Sequence, residues 1–358
     1  MSTAIEVHQF VPSLAVYDAV GQHSIALQQF LQSLGVESTL YADEIKPGAE
    51  AYAVHYSKFT PQSSQRRLLV YQASTASPIA EFLEERPEIK LVNFHNVTPP
   101  EFASGWDLGV ATAMMRALGE LERFASVTDL AFTVSRFNMQ DLESLGYRSV
   151  ALATPFITLE RRFARSPRVV DRGARWLFVG RVFPNKAQLE LVRAFAAYRA
   201  IYDEQASLAI VGGRSCLPYV DALEALIEGL GMSDAVTLVG QVDDETLAAH
   251  YREADVFTCM SRHEGFCFPV VEAMRNDLPV VAFAAAAVPE TIGDAGVLVQ
   301  NDDPLDFAAA VGMVLRDEGL QRQLSRSASL QLDRFGHDRA HEAHLEVFRP
   351  YLERMESM

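Results

Sequence analysis

The alternation of short apolar runs with amphipathic stretches constrains this chain more than any other feature. In the first half, strand-like runs occur at VESTLYA, RLLVYQA, IKLVNFH, LAFTVS and SVALAT, with helical patterns such as SIALQQFLQSL and SPIAEFLEE between them. In the second half they occur at ARWLFVG, ASLAIVG, AVTLVG, DVFTCM and LPVVAF, separated by patterns such as LELVRAFAAYRAI and DALEALIEGLG. Strands that alternate with helices form parallel sheets covered by helices on both faces. Two such sets, of about five strands each, predict two doubly wound domains. The 358 residues and 49% hydrophobic content suffice for both, at roughly 100–200 residues per domain. The Arg-rich stretch ITLERRFARSPRVVDRG, residues 157–173, carries little periodicity and reads as a linker. The expected division is 1–160, 161–335, and a terminal helix 336–358 that crosses back to the first domain. Ligands of open parallel sheets sit at the carboxyl ends of strands, and two facing domains make the cleft between them the default site.

Net charge narrows the function. At -16 the chain lacks the basic surplus of a nucleic-acid binder. The start MSTAIEVHQF has neither a basic region nor an apolar core, so a secretory leader is not expected. The longest apolar run, PVVAFAAAAVP, is about half the ~20 residues that a membrane span needs. The expectation is a cytoplasmic protein, with peripheral membrane contact left open. Cys216, Cys259 and Cys267 are odd in number and form no CxxC pair, which points to reduced thiols.

Two stretches carry candidate chemistry. In FVGRVFPNKAQLELVRAFAAY a strand ends at Gly180, and Arg181 and Lys186 precede a long helix. Two cations at the positive end of a helix are unfavourable unless an anion joins them, and a phosphate would satisfy both cations and the helix amides. A solvated Arg and Lys in a surface loop fit the spacing equally well. In SRHEGFCFPVVEAM, Pro269 fits the first helical position and places Glu272 in the first turn, where the dipole favours a carboxylate. Glu264 directly follows a strand-like run and precedes a glycine, a position that suits pairing with vicinal hydroxyls of a sugar. Other clusters are weaker. His337, His341 and His344 lie at helical spacing without HExxH and are assigned to an exposed terminal helix. The Asp243–Asp244 and Asp302–Asp303 pairs precede helical patterns and read as caps. No GxGxxG occurs, so a nicotinamide cofactor has no support, and no metal is expected.

Taken together, LFVGRVFPNKAQLELVRAF, LAIVGG, TLVGQVDDETLAAHYREADVFTCMSRHEGFCFPVVEAM, LPVVAF, VPETIGDAGVLV and NDDPLDFAAAV resemble the family 4 retaining glycosyltransferases of GT-B fold, in order and in spacing. The likeness spans nearly the whole second half. In the first half, VGQHSIALQQFLQSLGVESTLYA and LVNFHNVTPPEF are consistent with it, and the pairing of VGQH, FHNVTPPEF and HEGFCFP is similar to a subgroup common in bacterial polysaccharide gene clusters. The resemblance implies that Arg181 and Lys186 bind the donor diphosphate, that Glu264 holds hydroxyls of the transferred sugar, and that Glu272 binds the donor ribose. It further implies that the N–H groups of Gly265, Phe266, Cys267 and Phe268 face sugar and phosphate, and that Gly180 and Gly240 line the donor site. His95 would sit near the anomeric carbon, and Gly21 would let amides approach the phosphate. Two positions depart from the pattern. Val20–Gly21 stands where two glycines are usual, with His23 as a substitute donor, and Cys267 stands where glycine is usual, as pocket lining and not as a nucleophile.

The implied activity is hexose transfer, with retention and without metal, from a nucleoside-diphosphate sugar of GDP-mannose or UDP-glucose type. The acceptor would be a hydroxyl of a glycan, glycolipid, lipid-linked intermediate or small molecule. The sugar nucleotide is a co-substrate, no cofactor is expected, and the domains would close about the 157–173 linker. The alternatives are an epimerase or hydrolase of sugar nucleotides on the same fold, and a non-catalytic sugar-nucleotide scaffold.

Overall fold

The computed structural model describes residues 5–60, 66–156 and 172–357. Of the expected seam at residues 157–173, residues 157–171 lie outside the described residues, as does the boundary at 160/161. The chain divides into two compact units. The first runs through Pro100, resumes at Gly109 and regains the chain at Phe335, and the second takes Glu101–Leu108 and the stretch ending at Arg334.

The first unit holds seven parallel strands: β1 (Glu6–Leu14), β2 (Leu40–Ile45), β3 (Ala53–His55), β4 (Arg67–Ala73), β5 (Ile89–Phe94), β6 (Leu130–Thr133) and β7 (Val150–Leu152). Their order in the sheet is β3-β2-β1-β4-β5-β6-β7. The second unit holds six: β8 (Arg175–Val179), β9 (Ser207–Val211), β10 (Val236–Gly240), β11 (Val256–Cys259), β12 (Val280–Phe283) and β13 (Gly296–Val299), in the order β10-β9-β8-β11-β12-β13. Both sheets exceed the expected five strands. The pattern misses β1, because His8, Gln9, Pro12 and Ser13 interrupt its apolar run, although β1 is central. Pro12 is tolerated because pairing with β4 ends at Phe10↔Tyr71, and pairing with β2 skips from Val11 to Ser13.

Side chains of the first sheet alternate with period two. Leu69, Tyr71 and Ala73 of β4 join one core with Phe10, Val92, Phe94 and Phe124. Leu68 and Val70 join the opposite core with Val7, Leu91, Leu27 and Phe30. Val347, Phe348 and Met355 of the terminal helix His337–Glu356 belong to this second core. Fully burying side chains of this kind contributes about 1.5–3 kcal/mol each. The terminal helix is therefore not an exposed appendage. His344 is fully buried and stacks on Phe156 with ring centroids 4.3 Å apart, while His337 stays exposed. Among the described residues, no helix is long and apolar enough to cross a membrane.

The two acidic pairs serve as caps, as their positions suggest. Asp243 accepts from the Thr246 N–H at 2.8 Å, and Asp303 accepts from the Leu305 N–H at 2.8 Å. At the ends of β8 and β9 the backbones touch: the Gly180 N–H donates to the Val211 carbonyl at 2.8 Å, and Gly212 donates to Gly240 at 2.9 Å. A Cβ on Gly212 would stand 2.2 Å from the Gly180 oxygen, and its φ of +147° disfavours other residues. Gly213→Ala meets nothing within 4 Å and is the control. Gly212→Ala is expected to lower the melting temperature by roughly 5 °C or more, from an overpacking cost of about 1–3 kcal/mol, while Gly213→Ala stays within about 1 °C. Equal melting of the two variants would show that the close approach is not required.

Candidate functional site in the second unit

In the second unit β8 and β11 are neighbours whose following chains depart to opposite sides, β8 leading to β9 and β11 to β12. This is the switch point where open α/β sheets bind ligands, and the loops after these two strands carry the charged candidates. After β8, Gly180 takes φ +154° and Arg181 follows. Its guanidinium lies 4.8 Å over the Phe183 ring, and its carbonyl accepts from Gln188 Nε2 at 2.9 Å. Pro184–Lys186 form one 3-10 turn, Ala187 takes φ +52°, and the helix Gln188–Ile201 begins. After β11 the chain reaches Glu264 and the helix Phe268–Arg275.

Three contacts staple the two loops together. Asn185 Nδ2 donates to the His263 carbonyl at 2.8 Å, the Arg262 N–H donates to the Asn185 carbonyl at 2.8 Å, and Lys186 Nζ donates to Glu264 Oε1 at 2.6 Å. The Lys186 and Glu264 side chains are only 17% and 11% exposed, so the pair is largely removed from water. Burial opposes the charge of Arg181 and lowers its pKa, and the Glu264 carboxylate works the other way. Arg181, Lys186 and Glu264 thus form one electrostatic cluster.

Three carbonyls of the loop from Glu264 to Phe268 are engaged inside the protein. The Glu264 carbonyl accepts from Ala287 at 3.2 Å, the Phe266 carbonyl from the Thr291 hydroxyl, and the Cys267 carbonyl from Val270 at 3.1 Å. Three of its donors are left over. Among the described residues, the N–H groups of Gly265, Cys267 and Phe268 meet no acceptor in the protein. Unpaired amides at a helix start, beside two cations, can hold an anion.

Glu272 lies one residue deeper in its helix than the sequence suggests, since the helix starts at Phe268 and not at Pro269, and this puts it beyond the first turn. It accepts from the Tyr251 hydroxyl at 2.7 Å. Burial raises its carboxyl pKa, the Tyr251 bond opposes this, and Asp244 adds to it. Cys267 takes φ +71°, in the left-handed region where glycine is at ease. Its Sγ lies 4.0 Å from that of Cys259. The bond to Cys259, burial and the Glu264 charge hold the Cys267 thiol well above its ordinary pKa, which suits lining and not attack. Cys259, Glu264 and Cys267 offer three ligand atoms within 4.8 Å of one another, though Glu264 is already engaged by Lys186. Gly240 ends β10 at φ +83°.

Residues 101–108 belong to this unit, with Phe102 centred 6.0 Å from His263 and Trp106 5.0 Å from Tyr219. The Tyr219 hydroxyl accepts from the Leu189 N–H at 3.1 Å, at the start of the helix that follows Lys186.

The remaining candidates lie in the first unit. The Gly21 N–H donates to Asp18 Oδ1 at 2.6 Å, so an acceptor within the chain already holds it. A Cβ on Gly21 would stand 1.8 Å from the Ala15 carbonyl oxygen, so close packing of its own turn demands this glycine. His23 is buried and is no substitute phosphate donor: Asn93 Nδ2 and the Phe156 N–H face its two ring nitrogens at 2.9 and 3.3 Å. His95 is half-buried, and its Nε2 lies 2.6 Å from Gln72 Oε1. Burial pushes its pKa down to about 3. Sequence reasoning missed Asn185, Tyr251, Gln9, Gln72 and Asn93. For Asn185 a signal was present, since a polar residue between Pro184 and Lys186 invites a side chain to backbone bond.

Comparison with known proteins agrees with this geometry. Residues 173–317 match the family model described as glycosyl transferases group 1. A D-inositol 3-phosphate glycosyltransferase of Xylanimonas cellulosilytica is 37% identical over 175 residues, which is 48% of this chain and 41% of the relative. The chain thus spans well under two thirds of that relative's length. Sucrose-phosphate synthase from Thermosynechococcus elongatus superposes with a TM-score of 0.76 at 18% identity, over 98% of this chain and 99% of that one. HepE from Anabaena, solved with UDP-glucose, gives 0.72 at 16% identity, over 98% and 100%. Residues 173–317 therefore resemble a group 1 glycosyltransferase domain, in a chain of GT-B fold.

Proposed function

We propose that the chain is a retaining, metal-independent hexosyltransferase. Its donor is a nucleoside-diphosphate sugar of UDP-glucose or GDP-mannose type, and its acceptor is a hydroxyl of a glycan, glycolipid or lipid-linked intermediate. It works in the cytoplasm, at the inner membrane face when the acceptor is lipid-linked. The supporting observation is the convergence, at one switch point, of Arg181, Lys186, the leftover amides of Gly265, Cys267 and Phe268, and two carboxylates. The cations and amides fit a diphosphate. Glu264 fits sugar hydroxyls, and Glu272 fits a ribose.

Charge accounting favours the same ligand. Without donor, Lys186 and Glu264 neutralise each other at 2.6 Å. A donor brings phosphate oxygens for Lys186 and hydroxyls for Glu264, so both buried groups keep partners after the pair is divided. As the bond to the anomeric carbon breaks, negative charge grows on the leaving diphosphate, and preformed cations and amides stabilise it. The acceptor hydroxyl attacks from the face the diphosphate leaves and passes its proton to a leaving-group oxygen. Lys186 and Arg181 take the electrostatic part that a divalent cation would otherwise supply.

A thermal-shift panel of UDP-, GDP-, ADP- and dTDP-sugars, with and without EDTA, tests the donor site. Ligand at a hundredfold excess over Kd adds about 2.7 kcal/mol. One nucleotide series is expected to shift melting, with or without EDTA, and a panel with no shift would sink the reading. Product analysis with glycan, glycolipid and inositol-phosphate acceptors separates a transferase from an epimerase or hydrolase, which need no acceptor.

Lys186→Met is expected to lower kcat by about 10–100-fold, the worth of one charge-assisted hydrogen bond of roughly 1.5–3 kcal/mol. Because it strands the Glu264 charge, melting is compared with the double variant Lys186→Met, Glu264→Gln. Unchanged turnover in a folded Lys186→Met protein would remove Lys186 from the mechanism.

Glu272 generates a separate expectation. A carboxyl whose folded pKa exceeds its unfolded value makes the folded state bind its proton more tightly. Stability is then fully present below the ordinary value of 4.5 and is lost as pH rises through the folded value. Glu272→Gln removes this titration and keeps an acceptor for Tyr251. Its melting temperature, without ligand, is expected to exceed that of the parent by about 2–4 °C at pH 7, with the gain vanishing near pH 4, while donor affinity falls. A gain that does not change between pH 4 and 7 would show that the ionised carboxylate carries no such cost.

A further inference from the structure

The first unit contains a chain of buried amides whose direction is fixed at one end. The Ser24 carbonyl can only accept, so Gln9 turns its Nε2 toward it, at 3.1 Å. That leaves Gln9 Oε1 for Gln72, whose Nε2 donates at 2.5 Å. Gln72 Oε1 is thereby committed as an acceptor. Asn93 Nδ2 donates to it at 2.9 Å, and His95 Nε2 lies 2.6 Å from it on another side. An oxygen with no hydrogen of its own requires a proton on the facing ring nitrogen.

The opposite orientation fails at the anchored end. Turning Gln72 alone sets its oxygen against Gln9 Oε1. Turning both sets Gln9 Oε1 against the Ser24 carbonyl. Gln9 and Gln72 are both fully buried, so no solvent repairs the mismatch. Asn93 turns together with Gln72, and the direction set at Ser24 sacrifices only the 3.3 Å approach of the Phe156 N–H to His23, a longer contact than the 3.1 Å bond that reversal would lose. At His23 two donors compete for a ring that, when neutral, has one lone pair, and the branch through Asn93 therefore settles nothing further.

We propose that Gln9 and Gln72 are positioning residues that hold His95 as its Nε2–H tautomer, through a relay anchored on the Ser24 carbonyl, and leave Nδ1 as a lone-pair acceptor. Burial keeps the ring neutral at physiological pH, with the pKa near 3. His95 so held can accept a hydrogen bond from a sugar hydroxyl, and it supplies neither a proton nor a positive charge. Its bearing on turnover rests on the glycosyltransferase reading above, whereas the tautomer does not.

Side-chain nitrogen and carbon NMR shifts of isotopically labelled histidine report the tautomer without any substrate. His95→Gln identifies the signals of His95 among the nine histidines of the full chain. The expected result at pH 7 is one neutral form protonated at Nε2. Gln9→Leu, which leaves every contact of His95 in place but frees the Gln72 amide to turn, is expected to convert this single form into a mixture. A parent spectrum showing Nδ1–H, or a charged ring, would overturn the proposal, even if Gln9→Leu failed to fold. A folded Gln9→Leu protein with the parent tautomer unchanged would overturn the relay. The Nε2–H form in the parent, eroded in Gln9→Leu, supports it even where no sugar nucleotide is turned over, in which case the glycosyltransferase reading is what fails.

Discussion

Strands β8 and β11 lie side by side, yet the chain leaves them in opposite directions, and the chemistry of the second unit follows from that divergence. A parallel sheet buries both faces, so only its ends are open to a ligand. At a switch point the two loops part and leave a crevice edged by backbone amides. Such a crevice needs something to hold its walls. Here Asn185 ties loop to loop through backbone groups, and the Lys186–Glu264 pair adds charge to the same seam. The seam is rigid where its acceptors are used up and receptive where its amides are left over. Rigidity and receptivity come from the same short segment because a loop held by the carbonyls of Glu264, Phe266 and Cys267 keeps its N–H groups in place.

Burial of charge at this seam is costly, and the cost is tolerated because of what it makes available. An ion pair removed from water gains little over an apolar pair of the same volume. It gives instead two groups of opposite sign already desolvated and already aimed, which an incoming ligand with both phosphates and hydroxyls can divide between them. Glu272 follows the same logic with a weaker partner: the Tyr251 hydroxyl satisfies one lone pair and leaves the carboxylate's desolvation only partly compensated. Sites assembled from such groups are locally unstable and gain stability on binding.

The parts of this arrangement differ in how plainly the sequence shows them. Arg181, Lys186 and Glu264 stand out because each follows an apolar run, and charge next to a strand end is conspicuous. Their convergence depends on strand order, which no local pattern encodes. Cys267 could be placed beside the site by resemblance, but its left-handed backbone, φ +71°, is a property of the folded loop. Gly21 is the instructive case. A glycine before a helix suggests a phosphate turn, and the folded chain instead uses its missing side chain to pass the Ala15 carbonyl and its amide to meet Asp18. The strand most thoroughly hidden was β1, and the residues that hid it are informative. His8, Gln9 and Ser13 break the apolar period, and Gln9 does so because the relay to His95 requires a polar side chain in the middle of the sheet.

The candidate residues of the two units therefore have different polar surroundings. At the switch point of the second unit they include the Lys186–Glu264 ion pair, which suits the diphosphate sugar of the proposed reading. Beside His95 in the first unit they are neutral amides passing a single donor–acceptor direction from Ser24 through Gln9 and Gln72 to the ring. Amides suit that task. Each has one end that donates and one that accepts, so a chain of them transmits orientation without net charge, and any reversed member leaves a buried mismatch of about 1–3 kcal/mol. A carboxylate in the place of Gln72 would draw a proton onto the ring and make it a cation. An apolar residue there would leave the tautomer to chance. An amide held from behind by a second amide gives an imidazole that is neutral and of one tautomer, and this gives a reason for two glutamines buried in strands β1 and β4, where apolar side chains would have packed at lower cost.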